Sequence, residues 1–289
     1  MDLVAWIDGR LVDAQQATVS VYDVGFRSGH GVFETMRAFG DHVFRLEAHL
    51  RRAVAGATEL GFTLDADVLH DAVWSTVHAN LPVLGGADSA VRLTTSAGTL
   101  DPGSTFPGTR AAGPTIVVTS HVLAPRPKRA TAVSIPVTRD LPHVKATSYL
   151  AALTAGRRAR EQGADEALLT TADGQVLEGA SSNLFLVIDG QLRTPPVADG
   201  LLAGITRSVV VEIAAPLGLD VDETSFDLGT IRAAQEAFIT ASTRGIVPLV
   251  AVDGQPIGDG TPGPVTGRLQ SAYVDEVARE RAAGEGGRR

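Results

Sequence analysis

Apolar residues in the first 120 positions follow strand-like spacing in some segments and helix-like spacing in others. The apolar run Leu3–Ile7 ends at an Asp8-Gly9 pair, a combination typical of a β-hairpin turn. Helical spacing extends from about Glu47 to Leu60 and from about Ala66 to Asn80. Strands are also predicted at Leu11–Val12, Val32–Phe39, His42–Arg45, Ala90–Thr95 and Thr115–His121, with a glycine-rich loop at Asp23–Gly31.

The second half of the chain mixes the same two spacings. A helix that opens near Thr206 is predicted to bury Val209, Ile213 and Leu217, which recur at four-residue intervals. The other predicted helices are Thr147–Gln162 and Val265–Arg281, and the predicted strands are Ala132–Val137, Glu166–Thr170, Asn183–Ile188, Glu236–Thr240 and Val247–Val252.

A proline-punctuated basic stretch divides the chain. The prolines of Pro125-Arg126-Pro127 disfavour both a helix and a central strand, so residues 122–130 are predicted to be a linker. It separates a small N-terminal α/β domain, residues 1–121, from a larger C-terminal domain, residues 131–289. Because hairpins outnumber β-α-β units, the predicted fold class is α+β in two domains.

Composition narrows the classes of function. A net charge of -8 argues against nucleic acid or a membrane surface as a partner and favours small-molecule ligands. The chain has no cysteine, and its seven histidines show no helical metal-ligand spacing, so no metal site is predicted. No apolar run is long enough to span a membrane and no signal peptide is evident, which predicts a cytoplasmic protein.

Lysine is nearly absent, although the chain has 23 arginines among its 25 basic residues. Arginine keeps its proton near neutral pH, so only Lys128 and Lys145 could act as a neutral amine. Lys128 lies in the predicted linker. Lys145 stands where an extended segment gives way to a predicted helix, and partial burial there would favour reaction with an aldehyde. The alternative is an ordinary exposed loop lysine.

Three short motifs have the residues of a phosphate or heteroaromatic ring site. Gly204-Ile205-Thr206 precedes a helix with one apolar face. This pattern indicates either an anion-binding site at the helix N-terminus or an N-cap role for Thr206 without a ligand. Thr240–Gly245 places hydroxyls after a buried strand, as a phosphate turn or a surface turn would. In Glu178–Asn183 a carboxylate precedes a turn of small residues, where it could pair with a protonated ring nitrogen or serve the turn alone.

Two other kinds of site are not supported. Asp23–Gly31 is rich in glycine, but a strand follows it where a nucleotide-binding motif requires a helix. No Gly-x-Ser-x-Gly motif is present, so acyl transfer through an activated serine has no support.

The ordered motifs resemble those of the fold-type IV pyridoxal-phosphate enzymes, the class IV aminotransferases. The resemblance extends over most of the chain and is carried by Tyr22–Gly25, Gly31–Arg37, Glu47–Arg52, Lys145, Glu178–Phe185, Thr194–Pro196, Leu202–Arg207 and Ser242-Thr243. It implies two domains, the larger with a barrel-like sheet, and a homodimer acting on amino acids and 2-oxo acids with pyridoxal 5′-phosphate as cofactor.

The resemblance also implies a role for each matching residue. Lys145 would be the Schiff-base lysine, Glu178 the partner of the ring nitrogen, and Leu202 a packing contact for the ring. The phosphate site would comprise Arg52, Gly204, Ile205, Thr206, Ser242 and Thr243.

Three activities share this framework, namely D-amino acid transamination, the aminodeoxychorismate lyase reaction, and branched-chain L-amino acid transamination. Members of the L type have Gly-Asn-Tyr after the lysine, whereas this chain has Ala146-Thr147-Ser148-Tyr149. The D-alanine type has a tyrosine at the position of Phe33, and an arginine and a histidine in the loop that here is Leu100–Pro107. D-amino acid transamination is favoured, with the lyase as the alternative and the L type last.

The substrate carboxylate still needs a cation in a desolvated pocket. Arg27 and Arg244 are the predicted candidates, Arg92 and Arg139 rank below them, and Phe33 and Tyr149 complete the predicted substrate site. A noncatalytic protein that binds pyridoxal phosphate or another phosphorylated metabolite, with a structural Lys145, remains the alternative from a different class.

Overall fold

The computed structural model describes residues 2–104 and 112–284. Its chain divides into two compact units: Met1–Ala124 with Val144–Tyr149 and Glu280–Arg289, and Pro125–His143 with Leu150–Arg279. The predicted domain boundaries differ from this division, because the sequence analysis assigns residues 144–149 and 280–289 to the second domain and residues 122–130 to a linker.

The first unit is built on one antiparallel sheet with strand order β2-β1-β6-β5-β3-β4. The hairpin predicted at Asp8-Gly9 joins the first two strands, and both turn residues have the positive φ that a tight hairpin turn requires. The strands are β1 Val4–Ile7, β2 Arg10–Asp13, β3 Gly31–Phe39, β4 His42–Val43, β5 Ser89–Ser96 and β6 Thr115–Val122.

Helices α2 Leu46–Glu59 and α3 Ala66–Asn80 pack on this sheet. Their apolar residues recur at three- and four-residue spacing, so each helix presents one apolar face to the core of the unit. Asp65 caps α3 by accepting from the N–H groups of its first turn, which explains why that helix begins where the sequence predicts.

The predicted glycine-rich loop contains a short helix, α1 Val24–Ser28. Asp23 caps it by accepting from the Gly25 N–H, and Gly29 ends it in the left-handed conformation. Asp23 is buried and also accepts hydrogen bonds from Ser96 and Thr115. The loop prediction is therefore wrong at this point, because a single buried aspartate supplies the cap that the glycine pattern does not reveal.

The second unit contains a nine-stranded sheet with the order β12-β11-β10-β13-β14-β7-β8-β9, and β15 pairs with β14. The end strand β9 also contacts β10, so the sheet curls into a half barrel, as predicted. Its strands are β7 Ala130–Pro136, β8 Glu166–Thr170, β9 Val176–Gly179, β10 Asn183–Ile188, β11 Gln191–Thr194, β12 Val221–Glu223, β13 Glu236–Ala241, β14 Gly245–Val252 and β15 Gln255–Pro256.

The helices that begin in this unit are α4 Leu150–Glu161, α5 Ile205–Ala214, α6 Leu228–Ala233 and α7 Pro264–Ala283. Helix α5 buries Val209 as predicted, but Ile213 and Leu217 are only half-buried. The prediction is wrong there because the α-helix ends at Ala214, and Pro216 lies in the following 3-10 turn. No helix in the described residues is long and apolar enough to cross a membrane.

Candidate active site

Lys145 lies on a short segment that is hydrogen-bonded to strand β3. The Phe33 N–H donates to the Lys145 carbonyl over 2.9 Å, and the Thr147 N–H donates to the Gly31 carbonyl over 2.9 Å. Because residues 146 and 147 take part in this pairing, α4 begins at Leu150 and not at Thr147 as predicted. The backbone of Lys145 is thus fixed in the first unit, and its side chain is half-buried.

Two aromatic rings lie beside the Lys145 amine. Its Nζ is 4.6 Å from the ring centroid of Phe33 and 6.0 Å from that of Tyr149. The two rings meet edge to face with their centroids 5.2 Å apart. The two rings give the amine partly apolar surroundings, and the structure brings together three of the predicted site residues.

Arg92 covers the same aromatic ring. Its Cζ is 3.5 Å from the Phe33 centroid, and the guanidinium donates to the hydroxyls of Thr94, at 3.3 Å, and Thr35, at 3.2 Å. Burial is the main cause that lowers the pKa of Arg92 below its ordinary value. In the described part of the chain no carboxylate lies within ion-pair distance of it. Arg92 is therefore a half-buried cation whose polar contacts are neutral hydroxyls.

Arg52 is held by a buried carboxylate in the first unit. Its Nε and Nη2 donate to the two oxygens of Glu34 over 2.8 and 2.7 Å. His49 Nδ1 lies 2.6 Å from Glu34 Oε2. Burial would raise the pKa of Glu34, but the charges and hydrogen bonds of Arg52 and His49 outweigh it and lower that pKa from 4.5 to about 2. The bidentate pair fixes the plane of the Arg52 guanidinium.

Glu178 is a buried carboxylate at the end of β9 in the second unit. It accepts hydrogen bonds from the side chains of Arg139 and Asn183 and, over 3.1 Å, from the Leu202 N–H. The simple turn alternative is wrong because Glu178 lies within a strand. Arg139, one of the candidates for the substrate carboxylate, is paired with Glu178.

The segment before α5 also meets Asn183. Gly204 is the N-cap residue and has no side chain to satisfy the first helical N–H groups, while Thr206 lies inside the helix and is buried. The plain N-cap alternative for Thr206 is therefore wrong. A Cβ atom on Gly204 would come within 1.8 Å of Asn183 Oδ1, so only glycine allows this approach. The N–H groups of Ile205 and Thr206 therefore lie at a helix start without a side-chain cap, which is a kind of site that suits an anion.

The turn after β13 contains the predicted hydroxyls. Ser242 and Thr243 are half-buried, and the preceding Thr240 has a buried hydroxyl with no hydrogen-bond partner in the described residues. Arg244 closes the turn, since its N–H donates to the Ala241 carbonyl over 3.1 Å.

The two arginines predicted to bind substrate differ in their surroundings. The Arg244 side chain is paired with the buried Glu166, with 2.7 Å between Nη2 and Oε2. Arg27 is exposed on the short helix α1. Part of the loop that carries the cationic pair in the D-alanine type, residues 105–107, lies outside the described residues.

Several residues that shape these sites were not predicted from the sequence. Glu34 and Glu166 are buried carboxylates that hold arginines, and Asn183 bridges Glu178 and the Leu202 carbonyl. One signal was available, namely an acidic residue within an otherwise apolar predicted strand, which needs a buried partner. The arginine partners of Glu34 and Glu166 are 18 and 78 positions away in sequence and could not be identified from spacing.

Comparison with known proteins identifies the family. Residues 31–252 match the family model described as amino-transferase class IV. The chain is a class IV aminotransferase. It is 32% identical to a branched-chain-amino-acid aminotransferase of Pseudomonas aeruginosa, over 96% of this chain and 94% of the relative. Identity to a D-alanine aminotransferase of Bacillus licheniformis is 29%, covering 95% and 97%.

Solved structures support the same fold for this aminotransferase. The branched-chain aminotransferase of the thermophilic archaeon Thermoproteus uzoniensis, solved with norvaline, is similar to it with a TM-score of 0.87 and 31% identity, covering 97% of this chain and 96% of that one. The predicted fold-type IV architecture is therefore confirmed. Enzymes of class IV use pyridoxal 5′-phosphate, so the predicted cofactor is confirmed as well.

The residues of this aminotransferase fit that cofactor. Glu178 is a buried carboxylate of the kind that a protonated ring nitrogen requires as an acceptor. The uncapped start of α5, the hydroxyls of Ser242 and Thr243 and the buried hydroxyl of Thr240 suit a phosphate group. Lys145 carries a half-buried amine of the kind that combines with an aldehyde such as that of the cofactor.

Proposed function

We propose that this aminotransferase moves the amino group of a D-amino acid, such as D-alanine or D-glutamate, to a 2-oxo acid. The observation that carries the proposal is the shared ring of Phe33, which has the Lys145 amine and the Arg92 guanidinium within 4.6 and 3.5 Å of its centroid. An amine for proton transfer and a cation for a carboxylate are what an amino acid substrate requires. The Ala146–Tyr149 segment lacks the Gly-Asn-Tyr of the branched-chain L type, which argues against that type.

Pyridoxal phosphate, when bound, supplies a carbonyl that combines with amino groups and a ring that withdraws electrons from the substrate Cα–H bond. Lys145 removes the proton from Cα and returns a proton to the product, as a general base and acid. Glu178 accepts a hydrogen bond from the ring nitrogen and keeps it protonated. Arg52, Ile205, Thr206, Ser242 and Thr243 bind the phosphate, which does not react, and so fix the orientation of the ring.

We assign the substrate carboxylate to Arg92 in preference to Arg27 or Arg244. Arg244 and Arg139 each donate to a buried carboxylate, and Arg27 is exposed. Arg92 is half-buried beside the Phe33 ring and bonds only to neutral hydroxyls in the described part of the chain. A cation with this degree of desolvation gains more from a carboxylate than an exposed one does.

Replacing Arg92 tests this assignment. We expect Arg92→Ala to raise the half-saturating amino acid concentration about 10- to 100-fold, because a charge-assisted hydrogen bond is lost. Cofactor affinity should not change. Arg157→Ala is the matched control, since Arg157 forms an exposed surface pair with Glu161. An unchanged half-saturation for Arg92→Ala, with a rise for Arg27→Ala, would contradict the assignment.

Branched-chain L-amino acids are the second candidate donors. The Pseudomonas aeruginosa and Thermoproteus uzoniensis relatives named above are branched-chain enzymes, and their similarity supports this alternative. The deciding experiment mixes the purified holoenzyme with D- and L-alanine, D- and L-glutamate and D- and L-leucine, without a 2-oxo acid, and follows the cofactor absorbance.

We expect D-alanine and D-glutamate to convert the cofactor spectrum in one half-reaction that stops until a 2-oxo acid is added. Conversion by L-leucine alone would favour the branched-chain alternative. In a separate incubation with aminodeoxychorismate, release of pyruvate without a 2-oxo acid would indicate the lyase.

A further inference from the structure

We infer that Arg244 is a positioning residue that holds the Ser242-Thr243 turn in the geometry needed for the cofactor phosphate. The inference rests on the proposed assignment of Ser242 and Thr243 to that phosphate. It replaces the substrate-binding role expected for Arg244 from the sequence.

The guanidinium of Arg244 meets a polar cluster formed by the buried carboxylate of Glu166 and the hydroxyls of Ser181 and Ser182. Nη2 donates to Glu166 Oε2 over 2.7 Å and to Ser181 Oγ over 2.9 Å. Ser181 and Ser182 donate to the same Glu166 oxygen over 3.1 and 3.0 Å. Glu166 is only 3% exposed, whereas a quarter of the Arg244 side chain is exposed. Such a carboxylate needs a compensating cation, and Arg244 supplies it from the turn after β13.

The cluster links the turn to the segment that carries Glu178. Ser181 and Ser182 stand between Glu178 and Asn183 in sequence, and Asn183 donates to Glu178 and to the Leu202 carbonyl. Position 179 requires glycine, because a Cβ atom there would lie 2.1 Å from Ser182 Oγ. The contacts of Arg244 therefore connect the hydroxyl-bearing turn to β8 through Glu166 and, through Ser181, to the turn that follows Glu178 and β9.

The expected consequence is a specific loss of phosphate affinity. In the apoprotein, Arg244→Ala should raise the dissociation constant of pyridoxal phosphate about 10- to 100-fold, whereas that of pyridoxal, which lacks the phosphate, should stay the same. Arg244→Lys should recover part of the affinity because it restores the charge. At saturating cofactor, the half-saturating amino acid concentration should equal that of the unaltered enzyme.

The Glu166→Gln variant provides a second test of the inference. It should weaken pyridoxal phosphate binding as Arg244→Ala does, and the double variant should be no weaker than the worse single variant, because both changes break one pair. Glu166→Gln and Arg244→Lys carry the test if Arg244→Ala does not fold.

Several outcomes would overturn the inference. Equal losses for pyridoxal phosphate and pyridoxal would indicate a general structural role, and a rise in half-saturation with intact cofactor affinity would make Arg244 a substrate residue. Additive losses in the double variant would show that the two residues act independently. If the unaltered chain binds no pyridoxal phosphate, the proposed function fails together with the inference.

Discussion

At the scale of single residues, the sequence indicates candidate reactive groups more readily than it indicates their partners. Lys145 stands out because the chain has only two lysines, and Glu178 because it precedes a turn of small residues. The structure places Lys145 beside two aromatic rings and Glu178 within a buried strand. Arg92 and Arg244 could not be ranked from sequence. Arg92 lies beside an aromatic ring and two hydroxyls because of the register of β3 and β5. Arg244 pairs with a buried carboxylate that is distant in sequence.

The buried Glu34 predicts an acid-sensitive first unit. Its pKa in the folded chain is about 2 against a usual 4.5, so the ion pair with Arg52 stabilises the fold fully above pH 4.5. This stability is lost as the pH falls from 4.5 towards 2, by on the order of 3 kcal/mol. Burial is also the main cause that lowers the pKa of His49. Protonation of this histidine therefore reduces the stability of the fold further as the pH falls below its usual pKa of 6.5.

Tryptophan fluorescence can follow this unit alone, because both tryptophans of the chain, Trp6 and Trp74, lie in it. We expect Glu34→Gln to flatten the dependence of unfolding free energy on pH between 4.5 and 2. Glu161→Gln, which alters an exposed surface pair, should leave the slope as it is. A steep slope that persists in Glu34→Gln would refute the role of this carboxylate.

At the scale of elements, long periodic segments were predicted well and short ones were not. Helix α3 begins and ends where its spacing predicts, and most strands of five or more residues are found within two positions. The short elements β9, β11, β12 and α6 were missed because three to six residues carry too little periodicity. The start of α4 was misplaced because the pairing of residues 146 and 147 with β3 is a tertiary contact.

Helix α5 gives a prediction of its own. A methyl group at Gly204 would collide with Asn183, so Gly204→Ala should displace the start of the helix and raise the dissociation constant of pyridoxal phosphate about tenfold. Gly267→Ala is the matched control, since a methyl group on Gly267 of α7 would meet no atom within 4 Å, and this change should be neutral or slightly stabilising. Equal cofactor affinity in the two variants would show that the approach of Gly204 to Asn183 is unimportant.

At the scale of the whole molecule, the sequence anticipated two domains of α+β type. It could not assign Val144–Tyr149 to the first unit, because that assignment depends on hydrogen bonds to β3.

The homodimer also remains a prediction. Exposed apolar side chains on the first unit, Val21, Tyr22 and Phe26, are consistent with a surface that a second copy covers.

We expect Phe26→Ser to weaken dimerisation, because the Phe26 side chain is 71% exposed in the single chain. Sedimentation velocity over a range of concentrations measures the effect. Val274→Ser, which removes another exposed apolar side chain, is the control and should leave the dimer intact. A monomeric unaltered chain, or a dimer indifferent to Phe26→Ser, would argue against this surface.

Reductive trapping of the cofactor shows directly whether Lys145 is the amine that binds it. The holoenzyme is treated with borohydride, digested and analysed by mass spectrometry, alongside the Lys128→Ala and Lys145→Ala variants. We predict a single pyridoxyl adduct on Lys145, unchanged in Lys128→Ala and absent from Lys145→Ala. An adduct on Lys128, or no adduct on a chain that binds the cofactor, would contradict the role assigned to Lys145.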